Sequence, residues 1–345
     1  MKGFFIFKKR KPFLILLKLK HHKFMAFIAI IFLIFILELI NFSSNQRDLR
    51  IGTNYIFTFW EPRSSMPGYI NLCIKTWKKN LPNNYKIIIL DHQNLKDYLN
   101  YKIIDKIVCK QMQLPFQADA IRIAILKKYG GIWMDSDTII TNSDFINMFN
   151  GSSDLIMFGS SKINVLYTGF IYASKNSIII KKWLNCIFKR IKIYKQRLFL
   201  KQIFQIKLFE QFFNQLLRWD YLSNGIINEI VKNVSKKSFT LIESDEVYAL
   251  PEVFLYKDRY KSYKDFYFQP GDPEPTLIKS KGLLLLHNSW TEEKFKKMNE
   301  KEFIIQDILL ARLLFRLLIN DSSIANIKYK YLFGYNDSHL VSYYN

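Results

Sequence analysis

Two acidic residues, Asp135 and Asp137, stand one residue apart in the stretch GIWMDSD, which begins with the second of the paired glycines Gly130 and Gly131. In an extended strand, side chains two positions apart point to the same side, so these carboxylates converge unless a turn has already begun between them. Carboxylate oxygens at this spacing suit Mg²⁺ or Mn²⁺ that also binds phosphate oxygens. The pair therefore predicts a divalent-metal site, and the alternative is an acidic turn in solvent.

A second charged pair, Asp119 and Arg122, lies in the segment before the glycines. Residues at i and i+3 share one face of a helix. They form either an ordinary surface ion pair or a carboxylate and a guanidinium that bind ligand hydroxyl and phosphate oxygens. Gly130 and Gly131 allow a sharp turn from helix to strand, so the helix face and the strand end can meet.

The surrounding sequence alternates between strand-like and helix-like segments. Strands are predicted at 54–60, 85–91, 131–137, 154–160 and 165–174, and again in LIESDEVYALP and GLLLLHNSW. Helices are predicted from about Pro67, over 94–100, 103–110 and 117–129, across most of 176–235, and at 301–320 as a packed or membrane-surface helix. This alternation predicts an α/β fold with a mainly parallel sheet flanked by helices. Ligands bind such sheets beyond the carboxyl ends of the strands, where Asp135 and Asp137 fall.

The N-terminal region is basic and then continuously apolar. Residues 1–23 are rich in lysine, and FMAFIAIIFLIFILELINF at 24–42 has Glu38 as its only charge. At a rise of about 1.5 Å per residue this segment covers about 28 Å, close to the hydrocarbon thickness of a bilayer. We predict a basic tail (1–23), a transmembrane anchor (24–42) and a polar stem (43–50), with a buried core helix as the alternative. The positive charge before the span favours a type II orientation.

The formal net charge is +22, with lysines spread along the whole chain. Such a charge suggests an anionic partner, such as membrane headgroups or phosphorylated ligands, or it reflects the composition of an AT-rich genome. No zinc-finger, basic-zipper or RNA-binding aromatic motif is present, so nucleic acid is not a predicted partner. Cys73, Cys109 and Cys186 have no metal-ligand spacing and are predicted to be buried thiols, with one disulfide possible.

The run ADAIRIAILKKYGGIWMDSD resembles the A-D-x-x-R…L-x-x-x-G-G-x-[YW]-x-D-x-D signature of glycosyltransferase family 32. That family includes capsular-polysaccharide-type transferases and the initiating mannosyltransferase type of yeast, and it is related to the clostridial glucosylating toxins. The similarity extends upstream to YIFTFWEPRSSMPGYINLCIKTWKKNLPNNYKIIILD and downstream to LLLLHNSW. It covers about residues 51–170 and 240–290, and the helices between them match poorly.

The resemblance implies a GT-A fold, with a helical insertion at about 176–235, and metal-dependent, retaining transfer of a sugar. The donor is a nucleotide sugar, and the acceptor is a glycan, a lipid or a polysaccharide. Mn²⁺ or Mg²⁺ would bind Asp137 directly, with Asp135 contacting the ribose, the sugar or the metal. The remaining implied roles are His287 at the metal or diphosphate, Asp119 and Arg122 on the donor sugar, Trp60 stacking on the base, and Ser289 and Trp290 nearby.

Two of these implied roles have open alternatives. Trp60 is equally explained as a core residue. A single histidine is usually structural, but the position of His287 at the end of an apolar strand, as in the family, favours the functional role. The stretch Tyr167-Thr168-Gly169 departs from the family, which often has an asparagine there, so the residues on the acceptor side are not assigned.

Two other functions compete with sugar transfer. A haloacid-dehalogenase-type phosphatase also has a strand followed by D-x-D-x-T, but its threonine falls where this chain has Ile139. A non-enzymatic, basic, membrane-tethered interaction protein would use the acidic pair only structurally. The predicted organisation is a catalytic domain at 51–300 and a helical extension at 301–345. A type II anchor suits a Golgi lumen in a eukaryote, whereas a bacterial enzyme would face the cytosol from the inner membrane.

Overall fold

A computed structural model of the protein describes residues 54–149, 153–161, 165–204, 220–235, 237–243 and 259–319. The predicted basic tail, anchor and stem lie outside these residues, as does the C-terminal extension from residue 320. Among the residues described, no helix combines the length and the apolar character needed to cross a bilayer.

The described chain contains eight strands and eleven α-helices. The strands are β1 (Asn54–Phe59), β2 (Tyr85–Leu90), β3 (Gly131–Met134), β4 (Thr138–Ile140), β5 (Leu155–Ser160), β6 (Val165–Ala173), β7 (Phe239–Glu243) and β8 (Leu283–Leu285). The first helices are α1 (Gly68–Asn80), α2 (Leu95–Tyr98), α3 (Tyr101–Ile107), α4 (Leu114–Tyr129), α5 (Ile178–Phe204) and α6 (Asn224–Val231). The last are α7 (Arg259–Tyr267), α8 (Glu274–Lys279), α9 (Glu293–Lys296), α10 (Glu300–Ile304) and α11 (Leu309–Leu318).

Six strands form the central sheet in the order β2-β1-β3-β6-β5-β7. β1 pairs in parallel with β2 and β3, β5 pairs in parallel with β7, and β6 is antiparallel to both its neighbours. The prediction of a mainly parallel sheet flanked by helices is confirmed. β4 and β8 form a separate antiparallel pair.

The two faces of the central sheet are covered by different helices. Alternate residues of each strand point to opposite faces, so Ile56 and Ile132 join one core, whereas Phe57 and Trp133 join the other. The first core includes buried residues of α1, α7, α10, α11 and the small sheet, and the second includes those of α4, α5 and α6. The site described below lies where both cores reach the same edge of the sheet.

The paired glycines connect α4 to β3 through backbone that only glycine adopts easily. Gly130 has φ +69° and Gly131 has φ +91°. A Cβ atom at Gly130 would lie 2.6 Å from the backbone N of Lys175, and one at Gly131 would lie 2.8 Å from the carbonyl oxygen of Tyr55. Both glycines are therefore required by backbone conformation and by close approach of the chain. The helix itself begins at Leu114, three residues earlier than predicted.

The strand predicted over 131–137 ends at Met134, so the prediction that both carboxylates extend from one strand is wrong. The backbone N–H of Asp135 still donates to the carbonyl of Gly169 on β6, at 2.7 Å. The N–H of Thr138 then donates to the carbonyl of Asp135 at 3.1 Å and closes a turn. The chain turns here because β4 leaves the central sheet to pair with β8.

The remaining segments are mostly as predicted. Most of the described part of 176–235 is helical, in α5 and α6, and Trp183, Ile187 and Ile227 are fully buried, so it forms part of the core. The helix predicted at 301–320 is split into α10 and α11, and its buried apolar side shows that it is a packed helix. The three cysteines form no disulfide: Cys73 and Cys109 are buried, whereas Cys186 is only partly buried.

Candidate active site at the carboxyl edge of the sheet

Polar residues follow three neighbouring strands at the same edge of the sheet. Because β1, β2 and β3 run in parallel, the residues that follow them, Trp60, Asp91 and Asp135, come out on one side. The N–H of His92, next to Asp91, donates to Glu61 Oε2 at 2.8 Å and links the first two of these strand ends. The sheet therefore positions the acidic pair beside other polar groups, as the sequence predicts.

Arg122 is the cation at the centre of the site. Its Nη1 lies 3.2 Å from Asp119 Oδ1, and its Nη2 lies 2.9 Å from Asp135 Oδ1. The side chains of Arg122 and Asp119 are only 6% and 11% exposed. The pair is thus a buried ion pair shared with Asp135, and the alternative of a surface ion pair is wrong. Arg122 Nε is also buried and has no hydrogen-bond partner within the described ranges.

Two further groups fix the orientation of Arg122 and Asp135. The guanidinium lies 5.1 Å from the ring centroid of Trp133, and the indole N–H of Trp133 donates to Asp135 Oδ1 at 2.9 Å. The carbonyl of Thr168 accepts from Arg122 Nη1 at 2.6 Å. A Cβ at Gly169 would lie 2.9 Å from Asp135 Oδ2, so a glycine leaves space for this carboxylate. The stretch at 167–169, which departs from the family pattern, thus contacts the charged cluster directly.

Asp137 is held by the segment after β8. The backbone N–H of Asn288 donates to Asp137 Oδ2 at 2.8 Å, and the N–H of Leu286 donates to the carbonyl of Asp137 at 3.0 Å. The hydroxyl of Tyr69, a fully buried residue of α1, donates to the side-chain oxygen of Asn288. A chain of hydrogen bonds therefore runs from α1 through Asn288 to the Asp137 carboxylate.

The local charges shift the pKa values of two carboxyl groups upward. Burial raises the pKa of Asp137 to about 7, and the nearby Asp135 carboxylate contributes to the rise. Burial also raises the pKa of Asp119 to about 6, and the Arg122 guanidinium offsets part of this increase. Three carboxylates face one guanidinium here, so the fully ionised cluster has a net charge of −2. Such an excess favours a divalent cation.

The predicted third metal ligand, His287, lies between Leu286 and Asn288, whose backbone N–H groups both donate to Asp137. Its ring centroid lies 4.0 Å from that of Trp290 and 5.8 Å from that of Tyr263. Ser289 is exposed and Trp290 is partly buried. In the described part of the chain, no three His, Cys, Asp or Glu residues are grouped closely enough to hold a metal ion. The role of His287 at the metal or the diphosphate therefore stays a prediction.

The carboxylate pair nevertheless fits a metal that is shared with a ligand. Mg²⁺ usually binds one or two carboxylates together with phosphate oxygens, and not a complete protein cage. Asp135 and Asp137 provide hard oxygen atoms, and their like charges contribute, after burial, to the raised pKa of Asp137. A cation between them would relieve this repulsion. The donor set thus suits Mg²⁺ or Mn²⁺ better than a soft metal.

Trp60 directly follows β1, as predicted for a residue that contacts a base. Its side chain is partly buried against the core on the α1 side of the sheet. Its indole N–H is buried and has no hydrogen-bond partner among the described residues. The core alternative accounts for the packing, and the stacking role stays a prediction.

Several residues at the site are not predicted by the sequence. Tyr69 and Asn288 support Asp137, Tyr263 accepts a hydrogen bond from the N–H of His287 at 3.1 Å, and Ser223 contributes a hydrogen bond to Asp119. Ser223 belongs to the helical region that matches the family poorly. Tyr69 and Asn288 fall within stretches that resemble the family, but the sequence assigns them no role, since each reaches the site from a distant segment.

The fold and the site together define an α/β protein with a buried Asp119–Arg122 pair, the partly exposed Asp135 that shares the guanidinium, and a further carboxylate at the carboxyl edge of its sheet. The profile of the family described as "Capsular polysaccharide synthesis protein" matches residues 18–268, well over half of the chain. The chain belongs to this family. The match confirms the resemblance to capsular-polysaccharide-type glycosyltransferases that the sequence motif carries.

Solved structures with a related arrangement include three glycosyltransferases. PaToxG glycosyltransferase is 15% identical with a TM-score of 0.33, over 57% of this chain and 75% of that chain. GlyE of Streptococcus pneumoniae TIGR4 is 11% identical with a TM-score of 0.38, over 79% and 62%. The galactosyltransferase LgtC, solved with donor and acceptor sugar analogues, is 10% identical with a TM-score of 0.38, over 75% and 95%.

The match to GlyE spans less than two thirds of that protein. No curated protein matches the sequence significantly.

Proposed function

We propose that the protein is a metal-dependent, retaining glycosyltransferase that moves a sugar from a nucleotide-sugar donor to a glycan, lipid or polysaccharide acceptor. The observation that carries this proposal is the buried Arg122, which bridges the buried Asp119 and the partly exposed Asp135, with Asp137 alongside. Family membership and the sequence resemblance support the class of reaction. The retaining outcome rests on the resemblance alone.

In this proposal the residues of the cluster divide donor binding between them. Asp119 accepts hydrogen bonds from sugar hydroxyls, and the unpartnered Nε–H of Arg122 donates to a sugar or phosphate oxygen. Trp60 stacks on the base, and Ser289 and Trp290 border the diphosphate. These contacts fix the reacting carbon relative to the acceptor, which is the main effect of positioning groups on rate.

Asp135 and Asp137 would hold Mn²⁺ or Mg²⁺, which supplies positive charge for the departing diphosphate. The hydrogen bond from Asn288 keeps the Asp137 carboxylate in place before a ligand arrives. Such preorganised groups stabilise a transition state without reorganising during the reaction. The proposal includes no protein nucleophile: no side chain of the cluster is assigned to attack the sugar.

Hydrolysis of the donor is the most direct test of this function. The full chain, assayed with Mn²⁺ across a panel of nucleotide sugars, is expected to release free sugar and nucleoside diphosphate from one of them. Chelation of the metal should abolish this release, and added Mn²⁺ should restore it. The panel also identifies the donor sugar and its base.

Two outcomes of the same assay would contradict the proposal. Release of inorganic phosphate from simple phosphomonoesters, with no nucleotide-sugar hydrolysis, would instead favour the phosphatase. If the folded protein neither binds nor hydrolyses any nucleotide sugar of the panel, the non-enzymatic interaction protein is favoured.

Tyr69→Phe is expected to lower the rate of transfer about tenfold, because the substitution removes the hydroxyl that fixes Asn288 against Asp137. The side-chain oxygen of Asn288 then lacks its hydrogen-bond donor, and an unsatisfied acceptor inside the protein costs about 1–3 kcal/mol of stability. The measurements are kcat at saturating donor and the free energy of unfolding.

Tyr194→Phe is the matched control for Tyr69→Phe. Tyr194 is also buried, but its hydroxyl donates to the carbonyl of Gln111, in the core on the other face of the sheet. We expect this variant to lose stability while retaining kcat. Equal losses of kcat in both variants would show that Tyr69 contributes only to stability.

A further inference from the structure

The longest helix of the described chain has an unusual exposed face. α5 spans Ile178–Phe204 and contains eight lysines and arginines but no aspartate or glutamate. One side of the helix packs against the sheet through buried residues such as Trp183, Ile187 and Ile191. The opposite side is open to solvent, and it is not part of the site described above.

The exposed residues of this face form one continuous stripe. At about 100° per residue they fall within an arc of about 120°, and from first to last they cover about 33 Å of helix. The stripe consists of Ile178, Lys181, Lys182, Asn185, Lys189, Lys192, Ile193, Gln196, Phe199 and Leu200. We name it the α5 face.

The α5 face combines cations with large apolar side chains. Ile178 and Phe199 are each 62% exposed, and Ile193 is 41% exposed. None of its four lysines forms an ion pair with another described residue. Acidic groups on helices packed against α5 include Asp105 of α3, which lies 4.0 Å from Lys195 beside the stripe, and the exposed Glu229 of α6. The lysines are therefore available to an anionic partner.

We propose that the α5 face docks on an anionic lipid surface, with its apolar side chains entering the headgroup boundary and its lysines contacting lipid phosphates. Helices that lie in a membrane interface have this combination of basic and large apolar residues. A nucleic acid would neutralise the lysines but would leave the exposed Ile, Phe and Leu side chains in water, so the lipid is the better occupant. This inference is independent of sugar transfer.

The test uses the full chain in lipid nanodiscs, with a fluorophore on an Asn185→Cys substitution in a Cys186→Ser background. Cys73 and Cys109 are buried, so they do not compete for the label. Spin-labelled lipid quenches the fluorophore if the α5 face contacts the membrane. We expect quenching in discs that contain phosphatidylglycerol and not in discs of phosphatidylcholine alone. A fluorophore at Lys301→Cys on α10, which packs on the opposite face of the sheet, should not be quenched.

Charge variants distinguish membrane contact through the α5 face from attraction by the overall positive charge of the chain. Replacing the four lysines of the α5 face by glutamine is expected to reduce the quenching about tenfold or more. The matched control replaces four exposed lysines of the opposite side by glutamine and should retain the quenching: Lys78, Lys279, Lys281 and Lys301. Phe199→Ser should weaken the contact without changing its dependence on anionic lipid.

Three results would overturn the proposal. The first is equal quenching, or none, in both types of disc. The second is an equal loss in the two lysine variants, which would indicate attraction by total charge. The third is stronger shielding of the Asn185→Cys label by duplex RNA than by anionic lipid, which would make the α5 face a nucleic-acid surface. Circular dichroism of each variant confirms that it is folded.

Discussion

Asp137→Asn is expected to abolish sugar transfer, by about 10³-fold or more, while stabilising the metal-free protein above pH 7. Asparagine preserves the acceptor for the N–H of Asn288 but removes the negative charge beside Asp135. The proposed metal then loses one of its two carboxylates. Activity and stability should therefore change in opposite directions at the same position.

The sign of the stability change follows from the raised pKa of Asp137. Its pKa is about 7 in the folded protein, against an ordinary value of 3.8. Between these values the folded state binds more protons than the unfolded state, so stability falls as the pH rises. Asparagine has no charge to bury, and the variant lacks this fall. Its advantage over the wild type should be greatest at pH 8 and should shrink as the pH falls toward 4.

Thermal unfolding in chelator at several pH values measures this difference, and donor hydrolysis with Mn²⁺ measures the activity. Asp144→Asn is the control, because Asp144 is exposed and starts a short helical turn away from the cluster. It should leave both quantities unchanged. Full activity in Asp137→Asn would remove this residue from the site.

Arg122→Leu is expected to destabilise the protein strongly. The substitution leaves Asp119 and Asp135 without their shared cation, and Asp119 is almost fully buried. Breaking a buried ion pair by removing one partner costs about 3–5 kcal/mol. Transfer should be lost as well, because Arg122 is proposed to contact the donor.

The cost of Arg122→Leu should depend on pH. Asp119 already has a pKa raised to about 6, and removal of the guanidinium raises it further. Once Asp119 is protonated, the unpaired charge disappears, so the loss of stability should be smaller at pH 5 than at pH 8. Denaturant unfolding at both pH values is the measurement. The double variant Arg122→Leu/Asp119→Leu should recover part of the lost stability, since it removes the unpaired charge.

Arg316→Leu is the matched control for Arg122→Leu. Arg316 pairs with Glu274 at 2.7 Å, but both side chains are substantially exposed. Exposed pairs contribute about 0–1 kcal/mol, so this variant should remain close to the wild type. A similarly small effect of Arg122→Leu would show that the cluster is solvated and not the buried site described above.

Much of the site can be predicted from the sequence because its elements are local. The i, i+3 spacing places Asp119 and Arg122 on one helix face, and the two glycines of positive φ bring that face to the end of β3. The apolar runs of the strands are buried on both sides, which is typical of a parallel sheet. These features depend on neighbours within about twenty residues, so the sequence specifies them directly.

The supporting residues could not be predicted in the same way. Tyr69 and Asn288 meet at Asp137 from segments 219 positions apart, and Ser223 reaches Asp119 from a region without a recognisable motif. The same holds for the turn between Asp135 and Asp137. It exists because β4 pairs with β8, a strand about 145 residues further along the chain.

The amino-acid sequence by itself therefore determined the α/β class, the helix–glycine–strand unit and the charged residues that the unit presents. Only the tertiary structure decided that Arg122 is buried between two carboxylates, that His287 packs among aromatic rings, and that Asp137 is held from α1. The reason is physical. Periodicity and backbone conformation are local properties, whereas burial and hydrogen-bond partners depend on which distant segments pack together.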